Sequence, residues 1–188
     1  DVSNQKILDY STTPKSWYGL AFSQDNKFLY ASGGNDNWIL KFKINNNQLQ
    51  LVDSIILGAK WPVKISPAGI CIDNQKQKMF VVTKENNSLY EVDLITKKSV
   101  AYPLGSEAYS CVLSMDKKHL YISLWGTDQL LIWDTETKKT IKRMAIGDNP
   151  NELLLTKNGH FLYVANANDN SVAVVDTKEL TIIETLNA

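Results

Sequence analysis

One phrase is written four times along this chain. KFLYASGGNDNWILKFKI begins at Lys27, KMFVVTKENNSLYEVDL at Lys78, HLYISLWGTDQLLIWDT at His119 and HFLYVANANDNSVAVVDT at His160. Anchored on Tyr30, Phe80, Tyr121 and Tyr163, the copies step by 50, 41 and 42 residues. The residue 13 places after each anchor is Lys43, Asp93, Asp134 or Asp176. A period near 42 means one supersecondary unit built repeatedly, whose apolar faces only its neighbours can cover.

The last copy shows what the unit is. In residues 148–188, DNPNELLLTKNG reads as a short strand ending at Asn158-Gly159, a pair suited to the positive φ of a tight hairpin. HFLYVANA follows as a second strand, rich in aromatic and β-branched residues. Asn168-Asp169-Asn170 makes another turn, SVAVVDT a third strand, Lys178-Glu179 a further turn and LTIIETL a fourth strand. LYVA, VAVV, QLLIW and SIIL are apolar on consecutive positions, where a sheet with one wet face would alternate. Sheets of four antiparallel strands covered on both sides are blades of a β-propeller. The predicted fold is therefore all-β, with four four-stranded blades bounded at 17–58, 59–105, 106–147 and 148–188. Asp1 aligns with Asp93, Asp134 and Asp176, so residues 1–12 are expected to be the outer strand of a preceding blade, with a linker to residue 16. Four blades leave two apolar faces open, which predicts a segment of a larger ring. Seven blades at this period need roughly 290 residues. The remaining blades are expected from the same longer chain or from another copy.

Charge and composition exclude several partners. Twenty basic and twenty acidic residues cancel, with no basic stripe. That argues against nucleic acid and anionic membranes as ligands. No apolar run approaches the roughly 20 residues of a membrane span. Cys71 and Cys111 hold adjacent positions in different repeats. They are expected to point to opposite sheet faces, as two free buried thiols.

In a propeller the loops from fourth strand to first and from second to third share one face of the ring. That face gathers Trp17, Tyr18, Trp61, Tyr109 and Trp125 among Asn35, Asp36, Asp128, Asn149, Asn151, Asn168 and Asp169. Rings stack and amides both donate and accept, a combination that suits a carbohydrate, a peptide or another polar ligand. The competing reading gives the Asn and Asp side chains to hairpin turns and the Trp rings to packing between blades. The first repeat is longer, and its extra residues reach AKWPVKIS on the same face, which makes Trp61-Pro62 the first choice for a contact. Asp36, Asp128 and Asp169 could hold a Ca²⁺ ion, although no EF-hand spacing supports it. Asp93, Asp134 and Asp176 are expected to accept turn amides one and two residues on. His119 and His160 flank turns on the opposite face. The chain has no Cys-x-x-Cys, His-Glu-x-x-His or Gly-x-Ser-x-Gly. The inner strands GLAFS, GICID, SCVLS and ELLLT offer few charged side chains for channel chemistry.

LYVANANDNSVAVVDT closely resembles the bacterial YVTN-type propeller repeat. A narrower likeness runs through SWYGLAF, LYASGGNDN, SPAGI, SLWGTD, GDNPN and YVANAND, in the order seen in large exported bacterial proteins. In those, such a propeller precedes a phosphoesterase domain. GDNPN departs from them at Asn149, where His is usual. ILKFKINNNQLQLVDSI also looks like a repeat of the lactonase-type seven-bladed propellers. The resemblance implies a non-catalytic recognition or docking ring of an exported bacterial protein, in the periplasm or at the cell surface. The alternatives are the propeller portion of a phosphoesterase-type enzyme or a lactonase-like ring.

Overall fold

The computed structural model describes residues 1–33, 36–60 and 62–187. Each copy of the repeated phrase forms the second and third strands of a four-stranded antiparallel sheet. Blade I is β1 (Leu20–Phe22), β2 (Phe28–Ser32), β3 (Trp38–Asn45) and β4 (Gln48–Ile56). Blade II is β5 (Pro67–Asp73), β6 (Lys78–Thr83), β7 (Ser88–Asp93) and β8 (Ser99–Pro103). Blade III is β9 (Ala108–Leu113), β10 (His119–Leu124), β11 (Gln129–Asp134) and β12 (Lys139–Ala145). Blade IV is β13 (Pro150–Leu155), β14 (Phe161–Asn166), β15 (Ser171–Asp176) and β16 (Thr181–Asn187). Within each blade, strand order follows chain order.

Consecutive apolar residues are buried on both faces, as a propeller requires. Along β6, Met79 and Val81 face blade I and pack with Tyr30, Ile39 and Ile70. Phe80 and Val82 face the other way, into a cluster with Leu120, Ile122 and Trp133 of blade III. On β10, Tyr121 turns toward Leu162, Val164 and Val175 of blade IV. The period of two sends alternate side chains of one strand into two different cores. Polar ties at the outer strands reinforce these contacts. Lys97 pairs with Asp53 at 2.6 Å and Lys138 with Glu91, each across a blade boundary.

Turn chemistry repeats with the blades and refines two expectations. Asp93, Asp134 and Asp176 do cap turns, but their Oδ1 atoms accept amides two and three residues on. These hydrogen bonds hold all three carboxyls below the ordinary aspartate range. In the turn before β14, Gly159 has φ +73° while Asn158 is not left-handed. The turn is closed by a side chain instead of by a left-handed pair. Thr156 Oγ1 accepts from Phe161 N at 3.1 Å and donates to Asn158 Oδ1 at 2.7 Å. Ser23 with Asp25 and Ser114 with Asp116 repeat the device.

The outer strand expected in residues 1–12 is not formed, and no strand precedes Leu20. An outer strand pairs only with the third strand of its own blade, and this sequence supplies no such partner. The segment instead runs back over blade I, where Asp9 Oδ2 accepts Leu49 N at 2.7 Å. Residues from Ser11 to Tyr18 line a hollow against Leu29, Ala31, Phe42 and Leu49, the apolar side of blade I that no other blade covers.

Cys71 and Cys111 meet, against expectation. Their positions do point to opposite sheet faces, but opposite faces of neighbouring blades confront each other in a propeller. The two sulfurs lie 3.6 Å apart between β5 and β9, both as free thiols.

Candidate functional site

The loops on the face predicted to carry function sort into two groups. The first is aromatic and sits at the mouth of the cleft between the inner strands. Lys84 follows β6, and its ammonium lies 4.8 Å from the Trp17 ring centroid and 4.5 Å from that of Trp125. Tyr18 and Tyr109, at the starts of blades I and III, stack at 4.7 Å with a 48° tilt. Trp17 remains 44% exposed, and Tyr18, Tyr109, Trp125 and Lys84 are half-buried. A cation between two indole faces is attracted by both ring quadrupoles, which gathers residues from blades I, II and III at one point.

Beneath this rim lies a cleft of about 250 Å³, lined by Tyr18, Gly19, Leu20, Gly69, Ile70, Ser110 and Glu152. Gly19, Gly69, Ser110 and Glu152 occupy one repeat position, 11 places before the anchoring aromatic. Three small residues there leave the channel open, and the fourth puts a carboxyl into it. Partial desolvation by the neighbouring strands raises the Glu152 pKa above the ordinary glutamate value although the side chain stays exposed, and a hydrogen bond from its neighbour Leu153 partly opposes the shift. Beside it, Asn151 Oδ1 is buried with no hydrogen-bond partner among the described residues.

The second group is polar and already satisfied. Asn149 N donates to Asp128 Oδ1 at 2.9 Å, and Asn149 Nδ2 to the Trp125 carbonyl at 3.0 Å. Asp148 N donates to Asp169 Oδ2 at 2.6 Å. Asn168 Nδ2 donates to Asn149 Oδ1 and to Asp148 Oδ1. Asp128, Asn149, Asn168 and Asp169 thus tie the entry of blade IV to neighbouring loops. Asn37 holds the repeat position of Asp128 and does the same in blade I. Its Nδ2 donates to the Ala59 and Val63 carbonyls, and its Oδ1 accepts Ile65 N and Ser66 N. Asn37, Asn87, Asp128 and Asn170 all have φ between 48° and 63°, the left-handed conformation that Asn and Asp tolerate best.

Of the residues singled out in the sequence, Trp17, Tyr18, Tyr109 and Trp125 converge, while Asn151 precedes the cleft-lining Glu152 without lining the cleft itself. Asp36 stands apart, paired with Lys15 at 3.4 Å. Asn35 and Trp61 lie outside the described residues. The three Asp residues considered for Ca²⁺ do not come together, and no group of three or more His, Cys, Asp or Glu among the described residues could hold a metal ion. Sequence reasoning passed over Lys84 and Glu152. Their signal was positional: Lys84 sits four places after its anchor, as Trp125 does, and Glu152 is the acidic member of an otherwise small-residue column.

These features define a β-propeller with an aromatic mouth over an inner-strand cleft. The family described as lactonase, 7-bladed beta-propeller, matches residues 74–181, more than half of the chain. The chain belongs to that family. Its fold is similar to Kuenenia stuttgartiensis hydrazine synthase, at a TM-score of 0.79 and 16% identity over 94% of this chain and 50% of that one. It is similar to a functionally unknown protein from Desulfotomaculum acetoxidans, at 0.79 and 14% over 98% of this chain and 61% of that one. It also resembles a candidate 6-phosphogluconolactonase from Bacteroides fragilis, at 0.75 and 17% over 91% of this chain and 55% of that one. The chain thus spans about half to three fifths of these structures, and at such identities they show the fold alone. No curated protein matches it. The phosphoesterase association expected from the narrower likeness finds no support among these relatives.

Proposed function

We propose that the chain is the recognition arc of an extracytoplasmic seven-bladed propeller, binding a polar, ring-bearing ligand of the carbohydrate class at the channel mouth. The observation that carries this reading is the convergence of Trp17, Lys84 and Trp125 above a cleft that Glu152 lines. Indole faces stack on sugar rings, the ammonium donates to hydroxyl or carboxylate oxygens, and the Glu152 carboxyl below accepts from hydroxyls. Nothing in this arrangement requires a bond to break. An array of oligosaccharides probed with the purified chain tests it: binding should appear and should be lost in Trp125→Ala. Absence of any bound oligosaccharide, or binding indifferent to that substitution, would sink the reading.

A second reading is hydrolysis of a sugar lactone inside the channel, favoured by Glu152 and by family membership. A carboxyl with a raised pKa can activate water as a general base. The assay is turnover of 6-phosphogluconolactone by the full protein: on this reading it is present and Glu152→Gln abolishes it, and on the first reading it is absent.

The ring itself is completed, on our proposal, by further blades of the same chain. The outward side of blade IV leaves Leu154 65% and Leu186 45% exposed, apolar side chains that a further blade would cover. The intact mass of the protein from its source cells separates the cases. A mass near 21.2 kDa favours closure by a second copy. A mass for seven blades favours a complete ring, and a much larger one favours an attached domain such as a phosphoesterase.

A further inference from the structure

We propose that Cys71 and Cys111 form a reversible disulfide that staples the inner strands of blades II and III. The pair stands on geometry that sequence spacing conceals, since 40 residues separate the two positions. Their sulfurs are 3.6 Å apart, and Cys111 Sγ also approaches the Phe80 carbonyl at 3.9 Å. A disulfide needs about 2.05 Å, so rotation of the side chains must close roughly 1.5 Å. The backbones are already close. A Cβ added at Gly69 would meet Ser110 Cα at 2.7 Å and the Tyr109 carbonyl oxygen at 2.8 Å. Glycine at that position is what lets β5 and β9 approach, two residues before Cys71 and beside Cys111.

Ile70 and Ser110 line the cleft, and the two cysteines that follow them pack behind it between blades II and III, so a reagent reaches them when the inner strands open locally. Cys71 is partly buried and Cys111 is 7% exposed, so Cys71 is the thiol that an incoming reagent meets. The oxidant is a small-molecule disulfide of the glutathione class. The Cys71 thiolate attacks one of its sulfurs, breaking that S–S bond and releasing one glutathione thiolate. The Cys111 thiolate then attacks the Cys71 sulfur of the mixed disulfide and releases the second. Two protein thiols are oxidised, one reagent disulfide is reduced to two thiols, and the two protons pass to the leaving thiolates.

Burial pushes the Cys71 thiol well above its usual range, followed by the hydrogen bond and charge of Cys111. Lys117 pulls it down and Asp73 pushes it up. A thiol held above its usual range is mostly protonated at neutral pH, so closure should run faster as the pH is raised. The staple would join the strands that carry Ile70 and Ser110, and so fix the width of the cleft. This holds whatever ligand the cleft takes.

The test is oxidation of the purified full chain with oxidised glutathione. The expected result is loss of two hydrogens in the intact mass and a non-reduced peptide joining Cys71 to Cys111. The melting temperature should rise by roughly 5–10 °C. Dithiothreitol should reverse all three, and Cys71→Ser and Cys111→Ser should each remove them. A stable glutathione adduct, a dimer linked between chains, or two thiols still fully alkylated after oxidation would each overturn the proposal. Peptide mapping needs only the unsubstituted chain, so a serine variant that fails to fold does not spoil the answer.

Discussion

The aromatic mouth and the polar entry of blade IV lie on the same face and are built from the same kinds of loop, yet they end in opposite states. At the mouth, Trp17, Lys84 and Trp125 interact through ring faces and keep part of their surface in solvent. At the entry of blade IV, Asp128, Asp148, Asn149, Asn168 and Asp169 spend their donors and acceptors on one another. A group already satisfied by a neighbour gains little from a ligand, because binding only exchanges one partner for another. Residue type alone marked both regions as binding surfaces. The partners they make inside the fold separate them.

The comparison predicts that substitutions in the two regions act on different quantities. The largest effect on stability belongs to Asn37, the fully buried counterpart of Asp128, whose side chain makes four hydrogen bonds to the loop before blade II. Asn37→Ala should cost about 3 kcal/mol by leaving buried amides and carbonyls unpaired, seen as a shift in the urea midpoint. A change under about 0.5 kcal/mol would show that water replaces the side chain there. On the other side, Trp125→Ala should weaken oligosaccharide binding by roughly 30-fold, a hot-spot effect of about 2 kcal/mol, read by calorimetric titration. Its melting temperature should stay within a few degrees of the unsubstituted chain.

Smaller effects sharpen the contrast. Lys84→Gln keeps length and polarity but removes the charge, and should lower affinity about fivefold, consistent with a cation held between rings. Equal affinity in 20 mM and in 500 mM salt would argue against any charge contribution, since screening should weaken it (both concentrations being roughly chosen to span the Debye range). The smallest effect concerns pH. The hydrogen bonds that lower the pKa of Asp93, Asp134 and Asp176 favour the ionised form in the folded state. Their contribution is therefore present above the unfolded value of about 3.9 and is lost as pH falls through the lower folded values. Asp134→Asn and Asp176→Asn should flatten the fall of melting temperature between about pH 4 and pH 2.5. An unchanged slope would place acid sensitivity elsewhere.

Much of the fold could be read from the chain because a propeller writes its architecture as repetition. The anchors Tyr30, Phe80, Tyr121 and Tyr163 each sit in a second strand, and the doubly apolar runs are packed on both sides. What escaped was whatever depends on how one blade meets the next. Cys71 and Cys111 were assigned opposite faces correctly, yet only the stacking of blades shows that such faces touch. Asp1 matches the third-strand ends in pattern, which made residues 1–12 look like an outer strand, but they form no strand in the fold. Glu152 looked like one acid in an apolar strand until the four inner strands were set around a common cleft. Part of the candidate site, by contrast, was legible: Trp17, Tyr18, Tyr109 and Trp125 were placed on one face by counting from the anchors, and their side chains converge there. The Asn and Asp residues beside them could not be divided in the same way, because hairpin turns and ligand sites draw on the same side chains.

The most direct test of the central claim is a side-by-side titration of one array-selected oligosaccharide into the unsubstituted chain, Trp125→Ala and Asp169→Asn. The account predicts that Trp125→Ala loses at least tenfold in affinity, about 1.4 kcal/mol, while Asp169→Asn binds like the unsubstituted chain. Equal loss in both variants, or loss only in Asp169→Asn, would contradict it and move the binding site to the entry of blade IV.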